Sequence, residues 1–134
     1  MREIFYRGKR KDNGKWMEGF PIRLYDYGGD SWEMVPFNTN LDINHFVIPE
    51  TIGQYTGMRD KNGRKIFEGD IVRLDEDVKT IFNVNDGTVQ YGWGGFYIGG
   101  FSALNSLNSL ATFDGVMRGE VVGTVFENAD LLEG

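Results

Sequence analysis

Cysteine is absent from the 134-residue sequence, and histidine occurs once, as His45. The lack of cysteine excludes disulfide bonds, zinc–thiolate sites and thiol nucleophiles. A single histidine without cysteine cannot anchor a zinc site of the usual composition. The sequence also contains no run of about 18 apolar residues that could span a membrane as a helix. We therefore expect no cofactor, no metal and no membrane partner.

The first residues, MREIFYRGKRKDNGKW, are charged and contain no apolar core segment. A secretory signal requires such a segment after its positive residues. We therefore expect the protein to be cytoplasmic.

Glycine and aromatic residues are plentiful, with 19 glycines and 14% aromatics against three prolines. This balance favours short strands joined by tight turns over a helical bundle. The predicted fold class is mainly β, with short antiparallel strands, and a β-rich α+β arrangement is the alternative. The length suits a single domain with its own hydrophobic core.

Two Asn-Gly pairs, Asn13-Gly14 and Asn62-Gly63, predict tight turns between strands. Asn-Gly readily adopts the positive φ angles of a type I′ turn, which is typical of β-hairpins. The first pair predicts an N-terminal β-hairpin. The alternation of residues 78–84 predicts a further strand, which residues 85–87 would turn into the next.

The C-terminal half is predicted to form a small SH3-like barrel of short, bent strands between residues 66 and 127. The glycines flanking aromatic residues within 92–101 indicate a bent strand, because glycines inside strands often mark bulges. Leucines spaced three apart within 102–112 predict a short helical connection. We expect one domain over residues 1–134, with an N-terminal hairpin lobe at 1–48 and a barrel-like lobe at 49–134.

Charge is distributed unevenly along the chain. Residues 1–24 contain seven basic and three acidic side chains, whereas the other residues contain seven basic and 17 acidic ones. The resulting charges of +4 and −10 could bring the basic end of one molecule against the acidic body of another. They could also simply keep the surface solvated.

Four carboxylates, Asp60, Glu68, Asp70 and Glu120, are the best candidates for a metal or acid–base cluster, since such sites need converging carboxylates. Asp60, however, stands beside an Asn-Gly turn, and Glu68 and Asp70 flank Gly69 before a strand. Acidic residues at such positions commonly shape turns through backbone hydrogen bonds. The turn-shaping interpretation is favoured, and no catalytic or metal-binding residue is assigned.

Candidate binding residues come from two stretches, the basic N-terminal hairpin and the segment before the second Asn-Gly turn. They are Arg7, Lys9, Arg10, Lys11, Trp16, Tyr55, Met58 and Arg59. In a nucleic-acid-binding protein the basic residues would contact phosphates, while Trp16, Tyr55 or Trp93 would stack on bases.

The segment VIPETIGQYTGMRDKNGRKIFEGDIV, residues 47–72, resembles the YopX-like family of phage and prophage proteins. The segments IFYRGKRKDNGKWMEG and VVGTVFENADLLEG, residues 4–19 and 121–134, also resemble the ends of that family. The resemblance implies a small, β-rich protein in the cytoplasm of a bacterial host. It brings no established activity and no catalytic residues.

The function expected from the residues and the resemblance together is that of a phage or prophage accessory protein of unknown function. We expect a non-enzymatic binding module that acts through an unknown protein partner or as a homo-oligomer. The alternative is a nucleic-acid-binding small barrel, and a metal-dependent hydrolase using the four carboxylates is less favoured.

Overall fold

The computed structural model describes residues 3–26, 29–36, 46–82, 87–92, 95–99, 107, 110, 111 and 115–132. The chain divides into two compact units, Met1–Tyr55 and Thr56–Gly134. The described strands form antiparallel sheets, and the mainly β prediction is confirmed. The helices among these residues include none long and apolar enough to cross a membrane.

A β-hairpin opens the first unit, as the Asn13-Gly14 pair predicts. β1, Tyr6–Lys9, pairs antiparallel with β2, Trp16–Asp26. Gly14 has a φ of 69°, which a residue with a side chain adopts only at a cost. The side-chain oxygen of Asn13 accepts a hydrogen bond from the Lys15 N–H at 2.9 Å. Local chemistry therefore forms this turn.

The sheet of the first unit has the strand order β4-β3-β2-β1-β5. The strands that follow β2 in it are β3 at Gly29–Pro36, β4 at Phe46–Val47 and β5 at Gly53–Arg59. β5 begins in this unit and ends in the second. Pro36 stands at the end of β3, where proline interrupts the sheet least.

The core of the first unit lies on the face of the sheet that carries Met34 and Val47, both fully buried. Gly8 lies against them, since a Cβ at Gly8 would be 3.1 Å from the Met34 methyl carbon. The segment with Val47 also bonds to the end of β1, because the Lys11 N–H donates to the Phe46 carbonyl at 3.0 Å. Strands β1 to β4 thus share one buried apolar face.

A 3₁₀ helix, Pro49–Thr51, leads into β5. The Thr51 hydroxyl accepts a hydrogen bond from the Lys9 N–H at 2.9 Å and donates to the Ile48 carbonyl at 2.6 Å. This buried side chain joins the end of β1 to a segment 42 residues later.

The second unit opens with another hairpin, between the end of β5 and β6, Lys65–Phe67. Gly63 has a φ of 86° in its turn, as the second Asn-Gly pair predicts. Gly69 follows β6 with a φ of 91°, and a Cβ there would be 2.7 Å from the ring of Phe126. Both backbone conformation and packing therefore require glycine at position 69.

The other strands of the second unit form a sheet of order β10-β7-β8-β9. They are β7 at Asp70–Leu74, β8 at Gly87–Gly92, β9 at Gly95–Ile98 and β10 at Gly119–Thr124. The hydrophobic cluster of this unit is Met58, Ile66, Val72, Leu74, Val78, Val89, Phe96, Ile98, Leu107, Leu110, Met117 and Val121.

The strand predicted at residues 78–84 is wrong, because α1 occupies Glu76–Phe82. The side chain of Asp75 accepts a hydrogen bond from the Val78 N–H at 2.8 Å, which is the geometry of a helix N-cap. Glu76 and Asp77 in the first turn favour the same helix through its dipole. Val78 anchors the helix in the core.

The SH3-like barrel is not confirmed. In the part of the chain that the structure describes, the four-strand sheet of the second unit is open, with β10 at one side and β9 at the other. Leu107 and Leu110 are helical and buried, in agreement with the predicted connection, while Leu104 lies outside the described residues. Residues 85 and 86 of the turn predicted at 85–87 also lie outside the described residues. The single bent strand predicted within 92–101 is wrong, because β8 ends at Gly92 and pairs antiparallel with β9, which begins at Gly95.

The cap of α1 leads to a direct test. Replacing Asp75 with alanine should lower the free energy of unfolding by about 1 kcal/mol, because the Val78 N–H loses its acceptor. Urea denaturation measures the change. Asp77→Ala, in the same acidic turn, is the control and should change stability by less than about 0.5 kcal/mol. Equal losses for the two variants would contradict the capping role.

Candidate functional site

Asp60 is buried, and its carboxylate accepts hydrogen bonds from backbone N–H groups of the second unit. One oxygen accepts hydrogen bonds from the Asn62 and Arg64 N–H groups, each at 2.9 Å. The other accepts from the Val121 N–H at 2.9 Å. Three backbone donors thus converge on one carboxylate and fix the β5–β6 turn against β10. The turn-shaping interpretation of Asp60 is confirmed.

Asp70 is also buried and also bonds to a turn. Its Oδ2 accepts a hydrogen bond from the Phe67 N–H at 2.7 Å, across the Glu68-Gly69 corner. Glu120 is half-buried, with one oxygen 3.4 Å from the Asn62 side-chain amide and the other 3.9 Å from the Arg73 guanidinium. Among the described residues, no group of three potential metal ligands is brought together.

Two of the basic candidates in the first unit contact an aromatic ring. The Arg7 guanidinium carbon lies 4.3 Å from the centre of the Trp16 ring, and the Lys9 ammonium lies 5.9 Å from it. Arg7 is only 6% exposed. The Arg7 charge is therefore buried in the first unit against the Trp16 ring. One face of Trp16 is covered by this cation and is not open for base stacking.

Arg10 and Lys11 lie at the hairpin turn. The Arg10 guanidinium donates two hydrogen bonds to the Asp12 carboxylate, at 2.6 and 3.0 Å, and these hydrogen bonds lower the pKa of the Asp12 carboxyl. Lys11 is exposed. The charge of Arg10 is thus balanced by its neighbour, while Lys11 presents its charge to solvent.

Two of the three candidates near the second turn are buried. Tyr55 is buried in the first unit, with its ring 4.7 Å from that of Phe5. Met58 is buried in the hydrophobic cluster of the second unit. Arg59 is exposed and donates a hydrogen bond to the Gly63 carbonyl at 2.9 Å. The hypothesis of a binding surface formed by Tyr55, Met58 and Arg59 is therefore wrong, because two of the three side chains pack inside.

An exposed apolar surface that the sequence did not indicate lies on β2. Phe20 and Ile22 are 46% and 41% exposed. Two residues apart on one strand, they point to the same side of the sheet. Their cross-strand partners are Val35 and Glu33 of β3, and Glu33 in turn pairs with Phe46 of β4.

We call this surface the Phe20 face. Because directly paired residues of antiparallel strands share a side, the register defines its members. They are Arg7 and Lys9 of β1, Trp16, Glu18, Phe20 and Ile22 of β2, Glu33 and Val35 of β3, and Phe46 of β4. The alternation of β2 could have revealed it, but Met17 and Pro21 make the opposite side apolar as well, so the pattern did not show which side is exposed.

The role of Asp60 can be tested by Asp60→Asn. Asparagine keeps one acceptor oxygen but places an NH2 group where the second oxygen stood, so a buried backbone N–H loses its partner. The free energy of unfolding should fall by about 2 kcal/mol. Glu120→Gln is the control, and it should change stability by less than about 0.5 kcal/mol because its contact with Arg73 is long, at 3.9 Å, and partly solvated. A variant with unchanged stability would contradict the structural role.

Comparison with known proteins places this fold in context. The YopX protein family matches residues 5–133. A solved structure described as "Crystal structure of protein EF1440 from Enterococcus faecalis" is similar, with 25% sequence identity and a TM-score of 0.56. The similarity covers 99% of this chain and 100% of that chain. A search of curated proteins gives no match.

The family match spans the hairpin of the first unit, the Asp60 turn and β10 of the second, so it includes the elements described above. It confirms the resemblance carried by residues 4–19, 47–72 and 121–134. The chain belongs to the YopX protein family.

Proposed function

We propose that this protein is a phage or prophage accessory protein that acts in the cytoplasm of the bacterial host as a non-enzymatic binding module. Its contacts are with protein, either another species or a second copy of itself. The observation that carries the proposal is the exposure of Phe20 and Ile22 side by side on β2. Single exposed apolar side chains are ordinary, whereas adjacent ones at the centre of a sheet face are typical of protein-binding surfaces.

The use of the carboxylates supports the same proposal. Asp60 directs both carboxylate oxygens at backbone N–H groups, and Asp70 holds the corner before β7. A catalytic or metal-binding carboxylate needs at least one oxygen directed at substrate or ion. Asp60 and Asp70, two of the four carboxylates that best suited a hydrolase by sequence, therefore have a structural use.

The composition of the Phe20 face also favours a protein partner. Its centre is apolar, and its borders carry both Lys9 and Glu33. An apolar centre within a charged rim is the usual anatomy of protein–protein interfaces. A nucleic-acid surface would instead carry a uniform positive charge toward the phosphates.

The proposal is tested by affinity capture from prophage-carrying cells that express the tagged and the untagged chain together. We expect a specific protein, or the untagged chain, to be recovered with the wild type and to be lost with the double variant Phe20→Ser/Ile22→Thr. Mass spectrometry identifies the recovered protein.

The matched control is Leu131→Gln, which removes another exposed apolar side chain, 46% exposed, from the second unit. It should leave capture unchanged. Circular dichroism and urea denaturation establish that each variant is folded. The proposal fails when the folded wild type recovers no protein, including its own untagged copy.

A second candidate function, nucleic-acid binding, is supported by the exposed Lys11 and Lys15 at the hairpin turn beside Trp16. If these residues contact phosphates, Lys11→Glu/Lys15→Glu should weaken DNA binding and reduce its dependence on salt. Filter binding with single- and double-stranded DNA at low salt measures both. The control is Lys61→Glu, on the turn of the second unit. No binding by the wild type at low salt would eliminate this candidate.

A further inference from the structure

We infer that the Phe20 face binds a second copy of this chain and forms a two-fold symmetric dimer. This inference rests on the proposed binding function and names the partner of the same surface. It follows from how apolar and charged residues are ordered along β2.

The Phe20 face has a positive and a negative end. Lys9 pairs with Trp16 at the start of β2, and Glu33 pairs with Ile22 six residues further along. The pair of Phe20 and Val35 lies between these two pairs along β2. Arg7 and Glu18 form the next pair after Lys9 and Trp16, and their opposite charges offset each other. The net order along the strand is therefore basic, apolar, acidic.

A surface of this order is complementary to itself. Because the same face of each copy is buried, the two-fold axis lies between the two sheets, parallel to them, and runs across β2 near Gly19 and Phe20. Such an axis reverses the direction of β2 in the second copy. It brings the Lys9 end of each copy against the Glu33 end of the other, and it places the two Phe20 side chains together at the centre. A two-fold interface requires this relation, in which residue i contacts j and j contacts i.

A partner of uniform charge would fit this surface less well. An acidic partner would meet Lys9 favourably but would be repelled by Glu33 and Glu18, and a basic partner would have the opposite difficulty. The alternation of sign along one face thus favours a second copy, which supplies both signs in the reversed order.

The size of the face determines how strong the dimer can be. From Trp16 to Ile22, β2 extends for about 20 Å, and the four strands β1 to β4 extend across about 14 Å. This footprint of about 280 Å² per copy is well below the roughly 800 Å² per partner of a standard specific interface. We therefore expect a weak, concentration-dependent dimer rather than a permanent one.

The apolar centre is tested first, by sedimentation equilibrium over a concentration series reaching about 1 mM. Phe20→Ser/Ile22→Thr should raise the dissociation constant at least about tenfold, because it removes the apolar area that the two copies bury against each other. Leu131→Gln, equally exposed in the second unit, should leave the dissociation constant unchanged.

The two-fold arrangement is tested by charge reversal. Lys9→Glu alone and Glu33→Lys alone should each weaken the dimer, because each places like charges together at both ends. An equimolar mixture of the two single variants should associate again, as should the double variant Lys9→Glu/Glu33→Lys. Contact between position 9 of one copy and position 33 of the other restores association in the mixture, and a loss of folding in one variant would not reproduce that rescue.

Two results would overturn the inference. One is a wild-type chain that remains monomeric at every concentration. The other is a dimer whose dissociation constant is unaffected by the Phe20→Ser/Ile22→Thr substitutions or is not restored in the charge-reversed mixture. The proposed binding function would survive either result when affinity capture recovers a different protein, so the two failures are distinguishable.

Discussion

The Asp60 carboxylate is the interaction on which the second unit depends. Buried backbone N–H groups must find acceptors, and the turn after β5 and the centre of β10 both present donors to the same interior point. A carboxylate can accept several hydrogen bonds and makes stronger ones than a neutral group. Asp60 satisfies the N–H groups of Asn62, Arg64 and Val121 together. The geometry of the turn and the position of β10 are thus determined by one side chain.

Features that depend on neighbouring residues could be predicted from the sequence. Asn13-Gly14 and Asn62-Gly63 formed the expected turns because positive φ angles are a local property of glycine. The prediction for residues 78–84 was wrong because their alternation is typical of a strand, whereas the N-cap from Asp75 favours a helix. The bond from Asp60 to Val121 joins residues 61 positions apart, and no local pattern indicates that pairing. Tertiary contacts of this kind also decide whether a sheet closes into a barrel.

The candidate surface was harder to predict than the fold, since residue type does not determine exposure. Arg7 and Tyr55 suggested a binding surface, but Arg7 packs on Trp16 and Tyr55 packs on Phe5, and both are buried. On β2 the exposed apolar residues are instead Phe20 and Ile22, and both sides of that strand are rich in apolar residues. Which side faces the core depends on where β1, β3 and β4 bring Gly8, Met34 and Val47 together.

The separation of Asp60 from Val121 also affects the order in which the two units can form during synthesis. All strand partners that the structure describes in the first unit have been synthesised once Tyr55 is added, because even the hydrogen bond between Lys9 and Thr51 spans only 42 residues. Asp60 must wait for 61 further residues before Val121 supplies its third donor. Domains generally form from the N-terminus as the chain lengthens, and contacts distant in sequence form late. The nascent chain therefore presents a completed first unit while the ribosome is still adding the strand that completes the second.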